Sequence, residues 1–402
     1  MKIDKSMIHG SVEPGFEKVK EKFAENFEKG EEVGAACTVY HKGKKIVDLW
    51  GGYRDKKSKD PWKEDTMVLV FSTTKGISGL AVALAHTRGY FEYDEKVSKY
   101  WPEFAQKGKE NITVRQLLSH QAGLCAIDEP MDLDTLGDVE KMGKIIAEQA
   151  PLWEPGKMHG YHGITLGWYE SELIRKTDPQ HRTIGQFFQD EIAKPLGIEF
   201  YIGLSEDIPD SRIANIYAPM YKFRMLFNMD KYPKPFVKAF IKKGTITNRT
   251  FSNPKVLGQT MRYNTRELRR IELPASNGIG LVRDIARLYG IFAQGGYELN
   301  IKQETLDAIM KPAADPELGR FDQVLQIESR FSLGFLKPTP EFQFGTSEKA
   351  FGTPGAGGSF GYADPDTQTG FAYAMNKSGF YLYDDPREHV LSEAVFECIR
   401  KL

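Results

Sequence analysis

The chain has 402 residues, 41% of them hydrophobic and 27% charged, with a formal net charge of -1. That is enough for two or three domain-sized units around a substantial core, and the balanced charge gives no bulk attraction to nucleic acid or an anionic membrane. Its three cysteines, Cys37, Cys125 and Cys398, lie far apart with no C-x-x-C spacing, which speaks against a disulfide framework and a zinc ribbon alike.

The opening residues Met1-Lys2-Ile3-Asp4-Lys5 lack the apolar stretch of a signal peptide, and no run approaches the ~18 apolar residues of a membrane span. The expectation is a cytoplasmic protein. Residues 14–29 show apolar positions at helical spacing and predict an amphipathic helix. Residues 33–40 and 45–49 flank His41-Lys42-Gly43-Lys44 and predict a β-hairpin. After Gly51-Gly52 and Pro61 comes Phe71-Ser72-Thr73-Thr74-Lys75-Gly76. From there Ile77, Leu80, Ala81, Leu84 and Ala85 recur at helical steps up to a stop at Gly89.

Three residues make most of a helical turn, so the Ser72 hydroxyl and the Lys75 amine fall on one face. An alcohol is a poor nucleophile until a base takes its proton. A lysine desolvated against apolar walls is such a base, because burial lowers its pKa from about 10.4. The same residues also fit a serine N-cap followed by a solvated lysine. A second S-x-x-K, Ser252-Asn253-Pro254-Lys255, has proline where the turn has to form, so its serine and lysine are not expected to face each other.

Residues 112–118 predict a short helix entered from Asn111, followed by Ser119-His120-Gln121-Ala122-Gly123-Leu124. Residues 138–149 and 164–176 predict two more helices. The glycine-rich stretch 153–163 between them is a loop that carries His159, Tyr161 and His162. In 215–260, Lys222, Arg224, Lys231, Lys234, Lys238, Lys242, Lys243, Arg249 and Lys255 alternate with Tyr221, Phe223, Phe227, Tyr232, Phe236 and Phe240. Such a mixture suits nucleic acid or a membrane surface, but the favoured reading is an insertion packed over the body as a lid. A helix at 282–294 precedes strands at 333–336, 359–363 and 370–375 and a closing helix at 387–400. Strands at both ends with helices between imply a sheet closed by the two termini. Residues 1–70 and 330–402 then form the sheet domain, and 71–329 a helical domain with the insertion.

Gly357-Gly358-Ser359-Phe360-Gly361 matches the G-x-S-x-G elbow of α/β-hydrolases, with Asp384 and His389 following in order. The elbow needs a helix after its serine, and here a strand follows with too little chain left for that fold. His159 and His162 find no further ligands at metal spacing, so no metal is expected, and both are expected to line the pocket or bond to backbone. His120 is expected to be a satisfied buried histidine.

Ser72-Thr73-Thr74-Lys75, the loop Tyr161-His162-Gly163 and Thr353-Pro354-Gly355-Ala356-Gly357-Gly358 follow one another in the order found in the serine β-lactamase and penicillin-binding-protein superfamily. The chain resembles in particular the β-lactamase-like carboxylesterases of family VIII, and 113–124 and Pro274-Ala275-Ser276-Asn277-Gly278 add to the likeness. The resemblance implies an α+β fold, an antiparallel sheet flanked by N- and C-terminal helices beside an inserted helical domain. It also implies an acyl-serine hydrolase without cofactor. Ser72 would be the nucleophile, Lys75 its base and Tyr161 a shared proton carrier. The N–H groups of Ser72 and Ala356 would form the oxyanion hole. His162, Gly163, Thr353, Gly355 and Gly357 would contact the substrate, a small ester.

Two positions depart from the β-lactamase pattern. Gly163 stands where the tyrosine motif ends in Asn, and Thr353 where the third motif begins with Lys. A threonine offers one hydrogen bond and no charge, so the site as written suits short-chain esters rather than β-lactams or D-amino-acid peptides. Acyl transfer to another acceptor and a non-catalytic scaffold remain open on the residues alone.

Overall fold

The computed structural model describes residues 3–218, 228 and 231–402. Tyr221, Lys222, Phe223, Arg224 and Phe227 of the expected insertion lie outside the described residues. The strands are β1 (Ile8–Val12), β2 (Gly34–His41), β3 (Lys44–Asp55), β4 (Asp60–Pro61), β5 (Val68–Leu69), β6 (Phe200–Tyr201), β7 (Ile279–Gly280), β8 (Phe351–Pro354), β9 (Phe360–Asp364) and β10 (Thr369–Met375). The principal helices are α1 (Glu17–Glu28), α2 (Thr73–Thr87), α3 (Val114–Leu118), α4 (Val139–Glu148), α5 (Thr165–Thr177), α6 (Lys234–Ile241), α7 (Ile246–Ser252), α8 (Val282–Ala293) and α9 (Pro386–Ile399).

The large sheet is antiparallel and runs β1-β3-β2-β10-β9-β8, with β4 attached to β3. Pairing of β2 with β10, Val39 opposite Phe371, joins the two ends of the chain. On one face α1 and α9 pack together, and Val19, Phe23 and Phe27 meet Leu391 and Val395 over Cys37, Val39 and Phe371. The other face is covered by α8, which belongs to the middle segment of the chain. This is the antiparallel sheet flanked by the N- and C-terminal helices, here packed together on one face, with an inserted and mostly helical region, that the resemblance implies.

Helix α2 lies at the junction of sheet and helical region, and every residue from Thr73 to Thr87 is buried. A helix that is apolar on all sides has to sit inside the core. It ends where Gly89 takes a positive φ of 75°, a conformation glycine adopts without steric cost.

Several expectations change in detail. Helix α3 starts later than expected. Its cap is Thr113, not Asn111, in a reciprocal capping box with Gln116. Residues 333–336 do not form a ladder strand, and only Leu336 bridges to Phe331 and Gly352. The edge strand is β8, whose Gly352 and Pro354 read as loop residues in sequence. β1 and the small sheet β5-β7-β6 were not anticipated: the strands of the small sheet have two residues each and leave no periodicity to read, and in β1, Ile8-His9-Gly10-Ser11-Val12, only the two end residues are apolar. In the described part of the insertion, α6 and α7 turn Phe236, Phe240 and Phe251 inward while Lys234, Lys238, Lys242 and Lys243 are exposed. No helix among the described residues is long and apolar enough to cross a membrane.

Candidate active site

Ser72 sits at the N-terminus of α2 with helical φ and ψ of -65° and -13°, and its side chain makes no capping bond. The residue before it, Phe71, has a φ of 46°, a strained value for a bulky side chain that costs on the order of 1–3 kcal/mol. The strain is held in place by edge packing on Tyr263 with 5.2 Å between ring centroids and by the Thr74 hydroxyl, which donates to the Phe71 carbonyl. The kink turns the Ser72 hydroxyl toward a cavity of about 250 Å³.

Lys75 is fully buried, so the arrangement of an N-cap followed by a solvated lysine does not occur. Its amine donates to Ser72 Oγ at 3.1 Å, to the Gly163 carbonyl at 2.6 Å and to the Ala275 carbonyl at 2.8 Å. It also lies 4.8 Å from the centre of the Tyr161 ring. Burial lowers its pKa to about 7, against a smaller opposing pull from Glu170. Glu170 on α5 is itself buried, with neither carboxyl oxygen hydrogen-bonded among the described residues. Desolvation raises its pKa well above the ordinary carboxyl value. Burial thus favours the uncharged form of both groups and leaves the amine poised to gain or lose a proton near neutrality.

Two loops carry the acceptors that fix this amine. Asn277 pins the first, donating to the Leu268 and Ile271 carbonyls at 3.0 and 2.6 Å and accepting from Leu273 N at 3.1 Å. Ser78 of α2 donates to the Pro274 carbonyl at 2.7 Å, so Ala275 is stitched directly to the lysine's helix. The second loop carries Tyr161. Its N–H donates to both oxygens of the buried Asp322 at 3.1 Å. His162 donates from Nδ1 to the Gly160 carbonyl at 2.7 Å and accepts from Leu124 N at Nε2 at 3.0 Å. His120 Nδ1 accepts from His162 N at 3.0 Å. Burial lowers the pKa of both histidines, that of His162 to about 3, and they serve as neutral bolts.

Tyr161 faces the cavity between Lys75 and Phe331, and its ring stacks on Phe331. Burial raises its pKa, partly offset by hydrogen bonding to Ser72. Gly163 also lines the cavity, and a side chain there would put its Cβ 2.8 Å from the Phe251 ring. Phe251 of α7 thus fills the room a larger residue at 163 would need.

On the opposite wall are Thr353, Pro354 and Ala356 at the end of β8. Gly355 approaches the start of α2 so closely that a Cβ would lie 2.9 Å from Thr73 Oγ1, as well as 2.2 Å from Ser359 Oγ and 2.3 Å from the Val70 carbonyl. Ala356 and Ser72 line the same cavity, and among the described residues neither N–H donates to a protein acceptor. The Thr353 hydroxyl lies next to that of Tyr289 and has no hydrogen-bond partner among the described residues. The Gly357 carbonyl accepts from Arg387 Nη2 at 2.6 Å and from Gly379 N at 2.8 Å.

Of the residues expected to contact substrate, Gly163 and Thr353 line the cavity. His162, Gly355 and Gly357 stand behind it and shape it through the backbone. Ser359 is buried and bonds to the Val70 carbonyl at 2.8 Å and Thr73 Oγ1 at 3.1 Å, while His389 pairs with Asp384 and Glu393. The G-x-S-x-G elbow is therefore not assembled. Ser252 ends α7 and Lys255 begins the next turn, so the second S-x-x-K is split as the proline predicts. No group of three or more His, Cys, Asp or Glu side chains among the described residues is placed to hold a metal ion.

The β-lactamase family model matches residues 19–395. The chain belongs to that family. The esterase/β-lactamase LipL of Mycobacterium tuberculosis is 29% identical over 377 residues, covering 92% of this chain and 83% of LipL. A crystal structure of a family VIII carboxylesterase superposes with a TM-score of 0.84 at 34% identity, covering 97% of this chain and 99% of the other. A penicillin-binding-protein homologue from Caulobacter crescentus gives a TM-score of 0.84 at 35% identity with the same coverage. Within this family of serine hydrolases the chain therefore has esterase neighbours and a penicillin-binding-protein homologue at similar distance.

Sequence reasoning had not found the Ala275 and Gly163 carbonyls as anchors of the lysine, nor Glu170 and Asp322. The Pro274–Gly278 stretch carried a signal without a role. The two carboxylates carried none, since a lone acidic residue in a helix or loop reads as solvated surface.

Proposed function

We propose that the protein hydrolyses neutral carboxylic esters, short-chain aryl esters among them, through an acyl-Ser72 intermediate. The observation that carries this reading is the fully buried Lys75 amine 3.1 Å from the Ser72 hydroxyl. The neutral amine takes the Ser72 proton as Oγ attacks the acyl carbon. The N–H groups of Ser72 and Ala356 stabilise the oxyanion. Collapse of the tetrahedral intermediate breaks the ester C–O bond, and Tyr161 hands a proton to the leaving alkoxide, to be reprotonated from the Lys75 ammonium. Water then attacks the acyl-serine by the reverse relay and restores the free hydroxyl. The esterase names of the relatives support the substrate class.

The preference for neutral substrates rests on what lines the cavity. A carboxylate brought into such a site without a charged partner costs several kcal/mol. Thr353 brings no charge. Among the described residues the other lysine on the cavity, Lys337, turns its amine to the Met310 and Lys349 carbonyls at 2.6 and 3.1 Å. Burial lowers its pKa to about 7. Arg249 of the insertion pairs with Asp128 outside the cavity. The test compares kcat/KM for p-nitrophenyl butyrate and nitrocefin in wild type and Thr353→Lys. The ester is expected to lead by a wide margin, and the substitution to narrow the gap about tenfold, the worth of one charge-assisted hydrogen bond. Nitrocefin turnover as efficient as ester turnover in wild type would overturn the preference.

A further inference from the structure

The cavity beside Ser72 is far larger than a short acyl group needs. Tyr161 and Phe331, stacked at 6.2 Å between centroids, line it. Helices α6 and α7 add Phe236, Phe240 and Phe251 to the lining, and their rings contact one another at 5.8 to 6.3 Å. Leu325 completes that wall. Apolar walls of this kind hold water poorly, and an apolar group that fills them is favoured.

Resting on the ester-hydrolase reading above, we infer that the preferred substrate carries one unbranched apolar arm of about eight carbons seated against these aromatic rings. The length follows from the volume. The centres of water-sized groups have about 250 Å³ to occupy and each such group needs about 10–15 Å³ of it, so the cavity holds roughly twenty. An octanoyl-sized arm fits there together with the ester group and a leaving group of similar size, whereas a butyryl group leaves most of the space open. Each added methylene that leaves water for the cavity raises kcat/KM by up to about fourfold. From butanoate to octanoate the gain is expected to exceed tenfold, and it should reverse once the chain outgrows the space. The arm can belong to the acyl group or to the alcohol, and the two are distinguished by the substrates used.

The experiment measures kcat/KM for p-nitrophenyl esters from acetate to myristate and for acetates from ethyl to dodecyl alcohol, all below their critical micelle concentrations. A maximum near octanoate in the first series places the arm on the acyl side, and one near octyl acetate in the second places it on the alcohol side. Either supports the inference. A decline beyond four carbons in both series overturns it while leaving the ester-hydrolase reading intact, whereas no turnover of any ester overturns that reading instead. Leu325→Trp, which fills the chamber, is expected to lower the octyl-to-butyl ratio of kcat/KM at least fivefold in whichever series shows the maximum. Its folding is checked by melting. A folded variant with an unchanged ratio would mean the arm lies elsewhere.

Discussion

Lys75→Met separates what the buried amine does for catalysis from what it costs the fold. A fall in pKa from 10.5 to about 7 corresponds to about 5 kcal/mol of desolvation borne by the charged amine. Because the folded pKa lies below the unfolded one, the unfolded chain binds the extra proton between these values. Wild-type stability therefore carries the full cost below about pH 7 and recovers it as pH rises toward 10.5. Methionine has nearly the same length and no proton to desolvate, but it leaves the Gly163 and Ala275 carbonyls without their donor, at about 1–3 kcal/mol each. At pH 7 the two effects nearly offset, so the variant should fold with a stability within about 2 kcal/mol of wild type. Between pH 7 and pH 9 wild type should gain about 2 kcal/mol on the variant, because only wild type has the lysine to titrate. Denaturant unfolding at the two pH values reads this difference. Stopped-flow acylation should meanwhile fall by at least a thousandfold, as expected when a general base is removed. In wild type, kcat/KM should rise through about pH 7 and at pH 6 stand near a tenth of its plateau, the share of neutral amine. A stability difference that does not change with pH would refute the desolvated lysine. A folded variant that acylates at the wild-type rate would refute its role as base.

Three further substitutions probe the rest of the machinery. Ser72→Ala should reduce ester turnover to background, while Ser359→Ala, which removes only bonds to Val70 and Thr73, should retain most activity; steady-state rates compare the two. Tyr161→Phe should slow both acylation and deacylation at least a hundredfold, seen as a loss of burst and steady-state rates together. Asp322→Asn puts an amide against the N–H groups of Tyr161, Val324 and Leu325. It should lower kcat about tenfold with little change in KM, and lower the melting temperature by several degrees because buried donors lose an acceptor.

What the sequence disclosed, and what it did not, follows from the range of the interactions. The α2 helix, the hairpin and the terminal helix are local patterns of period 3.6 or 2; the two helices and the first hairpin strand lie within a few residues of their expected bounds, whereas β3 continues through Gly51-Gly52 to Asp55 instead of ending at Leu49. The spacing of Ser72 and Lys75 is likewise local, so their contact was legible. Their environment was not. The Lys75 amine is held by carbonyls 88 and 200 residues away in the chain, and backbone oxygens carry no signature of residue type. The same holds for His162: the sequence leaves open whether it lines the pocket or bonds to backbone, and in the structure both nitrogens are spent on backbone groups. β8 was missed because glycine and proline within it imitate a loop, and its strand character comes only from pairing with β9.

Labelling with a serine-reactive aryl phosphonate followed by peptide mass spectrometry tests the central claim most directly. The account predicts one stoichiometric adduct on the tryptic peptide containing Ser72, formed faster as pH rises through about 7 and absent in Lys75→Met. An adduct on Ser359, or labelling of Ser72 that proceeds unchanged without Lys75, would contradict it.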